Sequence, residues 1–374
     1  MSRLSLTCAL TLVVGCGDNL GPLPAVRVGT PCPRTVVREV NDHWIAVHPD
    51  ATDADTDWER ATYFIGDMAA ADALGEPGYL AYAQRWADGH RYKLSDSTYT
   101  RNADNHAAGQ VYLQLYEREG DPAMLADIAA SLDNIVRSDR RDDWSWIDAQ
   151  FMASPSFAHL GELSGHARYT DTMFELFKDA RDRRHLFDPA AGLWYRDENY
   201  LYPDNQTDNG AKIFWARGNG WVIASLVRTL AHLPAGSPYR AQYEDMLRAM
   251  AAALAKVQRD DGLWNVSLAD PEDHPGPEAS GSSFFTYAMA WGIRTGVLDR
   301  ATYAPVVERG WRGLVSVAVR ADGELGDVQG VGEQPSSSQP VTLRSTHEYG
   351  LGAFLLAGSE VETLGLELEC SAPM

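Results

Sequence analysis

From Thr35 onward, apolar residues recur at helical spacing through almost the whole chain, and no other feature limits the fold as much. Repeats of three and four residues put one apolar stripe on a helix, whereas a half-buried strand would alternate. The pattern divides into about twelve segments: Thr35–His48, Asp57–Leu74, Pro77–Lys93, Asp104–Glu119, Asp121–Arg137, Ile147–Ser164, His166–His185, Asn219–Leu233, Tyr239–Val257, Gly281–Thr295, Ala301–Val317 and His347–Ala357. Gly75-Glu76-Pro77, Gly120-Asp121-Pro122 and Gly165 punctuate neighbours as turns and predict helix hairpins. An even count in one chain fits an all-α ring of six hairpins, the (α/α)6 barrel. An open solenoid would carry a fixed sequence period, and none is visible. Three irregular stretches, Phe187–Ala216, Arg259–Ser280 and Val317–Arg344, read as loops that build a site on one rim.

The ends read differently. Arg3 followed by the short apolar run Leu4–Gly15 is a targeting segment, too short to cross a membrane. It ends in Val13-Val14-Gly15-Cys16, which resembles the lipobox of bacterial lipoproteins; an ordinary secretory signal is the alternative. The expected layout is a signal at 1–15, a Gly/Pro-rich tether at 16–33 and one catalytic domain at 34–374. Cys16 would carry lipid, giving a periplasmic or outer-membrane-anchored monomer that touches membrane only through that lipid. Cys32 and Cys370 remain, and in an oxidising compartment they could pair.

A net charge of −20 argues against nucleic acid as a partner. It also means that any anionic substrate needs positive charge concentrated locally. The run "IFWARGNGWVIASL" offers that concentration. It looks like strand, glycine turn and helix, but Ile223 stands where a dinucleotide loop needs a third Gly or Ala. What remains is Arg217 at a helix start between Trp215 and Trp221, suited to an acidic sugar. A capped core helix with a surface arginine is the rival reading.

Asp148 lies among Trp144, Trp146, Ile147, Phe151 and Met152. Such surroundings raise a carboxyl's pKa and suit a general acid, although helix capping is the commoner use of Asp at this place. Asp104, Asn105 and His106 open another helix, with capping and a structural histidine as the plain alternatives. Asp53, Asp55 and Asp57 mimic a calcium loop, but Trp58 and Phe64 replace its required Gly and Glu. No metal, cofactor or nucleotide motif is found.

Four blocks in order, "WIDAQFMASPSFA", "GAKIFWARGNGWVIASLVRTLAHLP", "EASGSSFFTYAMAWGI" and "HEYGLGAFLLAGSEV", resemble glycoside hydrolase family 105, the unsaturated rhamnogalacturonyl hydrolases related to the glucuronyl hydrolases of family 88. The likeness spans Trp58 to Val361. It implies an (α/α)6 barrel and an acidic oligosaccharide whose terminal uronyl residue carries a 4,5 double bond left by a lyase. Hydration of that bond releases the next sugar. Asp148 matches the acid. Asp104, His106, Trp58, Trp144, Trp215, Arg217, Asn219 and Trp221 become the expected substrate contacts. The neighbouring sugar and the source polymer, pectin or an algal polysaccharide, stay open. Two rivals remain: a polysaccharide lyase using His106 with Tyr287, and a sugar-binding lipoprotein without catalysis.

Overall fold

The computed structural model describes residues 22–370. Among these residues twelve α-helices alternate between two concentric rings. The outer ring holds α1 (Pro33–Val47), α3 (Pro77–Gly89), α5 (Ala123–Val136), α7 (Ala167–Lys178), α9 (Arg240–Ala255) and α11 (Arg300–Gly313). The inner ring holds α2 (Trp58–Leu74), α4 (Ala107–Glu119), α6 (Ala149–Ser164), α8 (Ala216–His232), α10 (Ala279–Arg294) and α12 (Glu348–Leu364). Each inner helix packs on the inner helices before and after it, and α12 returns to pack on α2. That last contact closes the ring and excludes an open solenoid.

Burial separates the rings. Nearly every residue of α6, α8, α10 and α12 is buried, because these helices meet protein on all sides. Outer helices such as α7 bury one stripe and leave the rest to solvent. Most tryptophans belong to this core: Trp86, Trp144, Trp194, Trp215, Trp221, Trp264 and Trp311 are all essentially inaccessible. The seam between α2 and α12 depends on two glycines. A Cβ on Gly66 would sit 2.3 Å from the Gly352 carbonyl oxygen, and one on Gly352 would sit 2.1 Å from that of Thr62.

Each predicted helix is present, with shifted ends. α12 runs on to Leu364 and stops at Gly365 in the left-handed region. α7 and α11 finish in π-helical turns, Asp179–Arg183 and Leu314–Ala318. α8 begins at Ala216, before the expected Asn219, because Trp215 is extended and ends a short pairing in which Ala216 N donates to Val266 O. Gly218-Asn219-Gly220 is therefore the first helical turn. A Cβ on Gly218 would press on the Trp215 ring at 2.8 Å, so this glycine makes room for an indole.

The expected tether also differs. Arg27 N donates to Val319 O and Ala321 N to Ala25 O, both at 2.8 Å, so residues 25–27 pair with the body. The structure joins Cys32 to Cys370 in a disulfide across a separation of 338 residues. Cys16 and the targeting segment lie outside the described residues. Among the described residues no helix is long and apolar enough to cross a membrane.

Candidate active site

Because every inner helix follows an outer one through a hairpin, all six inner helices point their N-termini at the same rim. The three long loops, 187–215, 256–278 and 319–347, lie on that rim as well. Helix N-termini present unpaired N–H groups and partial positive charge.

A cavity of about 160 Å³ opens there. Trp58 comes from the first turn of α2, Asp104 from the 3-10 turn before α4, and Asp148 and Met152 from the start of α6. Trp215, Arg217 and Trp221 come from the start of α8, and Trp146, Arg196, Val331 and Gly332 from loops. The walls are aromatic: Trp58 stacks on Tyr349 at 5.1 Å and meets Trp221 edge-on at 6.0 Å.

Asp148 precedes α6 but does not cap it, since its side chain accepts no bond from the first turn. Oδ2 accepts from Arg196 Nε at 3.1 Å, and buried Oδ1 has no partner. Burial pushes the carboxyl's pKa up, against Arg196 and Arg217. Asp104 rises to about 7, through burial first and then the charges of Asp148 and Asp57. Two carboxyls inclined to keep a proton thus share one cavity, an arrangement that suits acid–base work.

Arg217 lies between the rings of Trp215 and Tyr349, at 4.6 and 4.9 Å from their centroids. Nη1 and Nη2 donate to the carbonyls of Gln329 and Gly330 at 2.5 and 2.8 Å. Among the described residues no carboxylate pairs with it. Gln329 ties the same loop again by accepting from Trp215 Nε1 at 2.7 Å.

Three expected contacts lie elsewhere. His106 Nε2 meets Ser131 Oγ at 2.9 Å, against the outer ring, and burial pulls its pKa down to about 4. Trp144 packs edge-on against Phe157 in the core. Asn219 Nδ2 donates to the carbonyls of Trp194 and Trp215, both at 3.0 Å, and its Oδ1 accepts from Trp194 N, so it splints α8 to the loop before it. Amphipathic or aromatic context signalled burial for all three but not the direction in which each side chain faces.

Residues 35–365 match Glycosyl Hydrolase Family 88. The chain belongs to glycosyl hydrolase family 88. The unsaturated 3S-rhamnoglycuronyl hydrolase of Formosa agariphila is 33% identical over 341 residues, covering 85% of this chain and 87% of that protein. The solved glycosyl hydrolase family 88 structure from Bacteroides vulgatus superposes with a TM-score of 0.85 at 32% identity, covering 90% of this chain and 100% of that one. A protein named Polysaccharide Lyase BACCELL_00875 superposes with a TM-score of 0.84 at 34% identity, covering 88% of this chain and 96% of that one. Family 88 membership makes this chain a glycoside hydrolase on an (α/α)6 barrel.

Sequence reasoning passed over one charged group in this family 88 site, Arg196. Ile147 N donates to Arg196 O at 2.9 Å and Trp146 bridges Asp197, and this pairing of distant loops carries Arg196 to Asp148. The available signal was an arginine next to Tyr195 inside a loop already read as site-building.

Proposed function

We propose that this protein hydrolyses the terminal 4,5-unsaturated uronyl residue of lyase-generated oligosaccharides, with rhamnose as the neighbouring sugar. The observation that carries the reading is Asp148, buried in a tryptophan-walled cavity with one carboxylate oxygen unpartnered and Asp104 beside the same space. The name of the Formosa agariphila relative supports the substrate class.

In this mechanism protonated Asp148 gives its proton to carbon 4 of the enol ether. Positive charge develops at carbon 5 and the ring oxygen, and the new Asp148 carboxylate stabilises it. Water adds at carbon 5 and returns one proton to a carboxylate, Asp148 or Asp104. The resulting hemiketal opens to a ketone, and the hemiacetal left at carbon 1 expels the neighbouring sugar. Protonation of carbon is slow, so a positioned acid supplies about 10²–10⁴-fold.

The lyase reading draws on one relative's name, but its base is not assembled here. His106 faces Ser131, and Tyr287 is buried against Arg228; neither lines the cavity. One assay separates the three readings. With unsaturated uronyl disaccharides, the ultraviolet absorbance of the conjugated carboxylate falls for a hydrolase. A lyase makes it rise on intact polymer, and a binder leaves it unchanged.

The protein also reads as an exported lipoprotein anchored through Cys16. The apolar run ending Val-Val-Gly-Cys supports this, as does a disulfide, which persists in oxidising compartments. Cys16→Ala should move the protein from membranes to the soluble fraction. A mature N-terminus beyond Cys16 in the wild type would refute the anchor.

A further inference from the structure

The cavity contains two arginines in opposite conditions. Arg217 is 1% exposed, and each of its amino groups donates to a backbone carbonyl. A bidentate grip on a carboxylate takes two adjacent N–H donors. The end of Arg217 that carries both amino groups already spends a pair of donors on the 319–347 loop, and burial sets the rest of the group back from the open space.

Arg196 is differently placed. Its side chain is 22% exposed and lines the cavity. Nε donates to Asp148 Oδ2 at 3.1 Å and Nη1 to Asp197 Oδ2 at 2.6 Å. A third contact runs from Nη1 to Glu333 Oε2 at 3.3 Å, and that Glu333 side chain is 54% exposed. Among the described residues Nη2 has no partner. Its Nε and Nη2 therefore form an edge that carries one long bond to Asp148 and one free amino group.

We propose that Arg196 anchors the uronate carboxylate, and that substrate, by engaging Arg196, strips Asp148 of its counter-ion and so arms it as the acid. This rests on the hydrolase reading above. An arriving carboxylate takes Nη2 and competes with Asp148 for Nε, while the Glu333 carboxylate on Nη1, the weakest and wettest of the contacts, opposes it by its like charge. The charged groups facing Asp148 are Asp104 ahead of α4, Arg196 on the 187–215 loop and Arg217 on α8. Of these, Arg196 is the one hydrogen-bonded to it. With that cation engaged by substrate and a second anion adjacent, the proton on Asp148 is favoured. Asp148 then takes one proton from solvent on binding, delivers it to carbon 4, and the water that adds at carbon 5 returns one to the enzyme. The substrate's own charge thus sets the protonation that its hydration needs.

The test compares an unsaturated uronyl disaccharide with its methyl ester. The wild type should consume the free acid; an unchanged absorbance would sink the hydrolase reading, and this inference with it. Given activity, Arg196→Gln should raise KM for the free acid on the order of tenfold to a hundredfold, the range of one charge-assisted bond. KM for the ester should barely move. Loss of equal size on both substrates overturns the anchor. Glu333→Gln, an exposed change that spares the fold, should lower KM for the free acid and leave the ester alone; an unchanged or raised value for the free acid also counts against the proposal. For arming, the alkaline limb of kcat in the wild type should lie at higher pH than that of kcat/KM with the free acid, and the two limbs should coincide with the ester. Coincident limbs on the free acid would overturn the arming step.

Discussion

Arg217 on α8 donates from Nη2 to the carbonyl of Gly330 at 2.8 Å, bridging 113 positions of sequence. With the neighbouring bond to Gln329, it bolts the 319–347 loop over the cavity. Arg217→Met should lower the melting temperature and reduce activity on the free acid and its methyl ester in equal proportion. The Gly330 carbonyl loses its partner, at about 1–3 kcal/mol if it stays unpaired, while the Gln329 carbonyl keeps its bond from the Tyr349 hydroxyl. A much larger loss on the free acid would restore the expectation from sequence that this arginine grips the uronate.

Asp148→Asn should reduce kcat on the order of 10²–10⁴-fold. Its melting temperature should hold, since the Asp148 side chain caps no helix. The reactive form is the protonated one and burial raises its pKa. Wild-type activity should therefore fall as pH rises through that raised value. A variant with wild-type turnover would transfer the role to Asp104.

Asp67 predicts a pH dependence of stability away from the site. Its Oδ1 accepts from Asn41 Nδ2 at 2.7 Å, while Oδ2 is buried without a partner. Burial lifts its pKa from 3.8 to about 8, against the Asn41 bond and the charge of Arg85. The folded protein holds this proton more tightly than the unfolded chain. The contribution is therefore complete below 3.8 and is lost as pH rises through about 8. Thermal melts of the wild type should show a decline between about pH 4 and pH 8 that Asp67→Asn lessens; parallel curves would refute the assignment.

Cys32→Ser with Cys370→Ser should destabilise the protein by about 2–4 kcal/mol, read as a lower melting temperature that reductant does not lower further. The disulfide clamps the start of α1 to the chain beyond α12, so the variant should fray from its ends before its core melts.

The helices were legible because each carries its own stripe, and the ring followed from an even count with no fixed period. Asp148 and Asp104 were legible for a local reason: each stands at the head of an inner helix, where the barrel gathers its chemistry. Arg196 was not. Its place beside Asp148 comes from backbone pairing of 146–147 with 196–197, and spacing along the chain cannot express it. His106 misled in the opposite way, since a helix-opening histidine faces the axis or the outer ring according to a fraction of a turn. Arg217 was found in the right cavity, but its partners are carbonyls supplied by a loop more than a hundred residues away.

The glycine seam between Gly66 and Gly352 bears on the order of events during synthesis. The ring is completed by its second and its last helix, pressed backbone to backbone. Until α12 has been made, α2 has an open flank, and no arrangement of the earlier helices can cover it in the same way. Contacts between distant parts of a chain slow folding because long loops must close first. A nascent chain of this kind stays incomplete until nearly its whole length is available. A Cβ at either glycine would wedge the seam, so Gly352→Ala should yield a protein that is synthesised at full length and still fails to close.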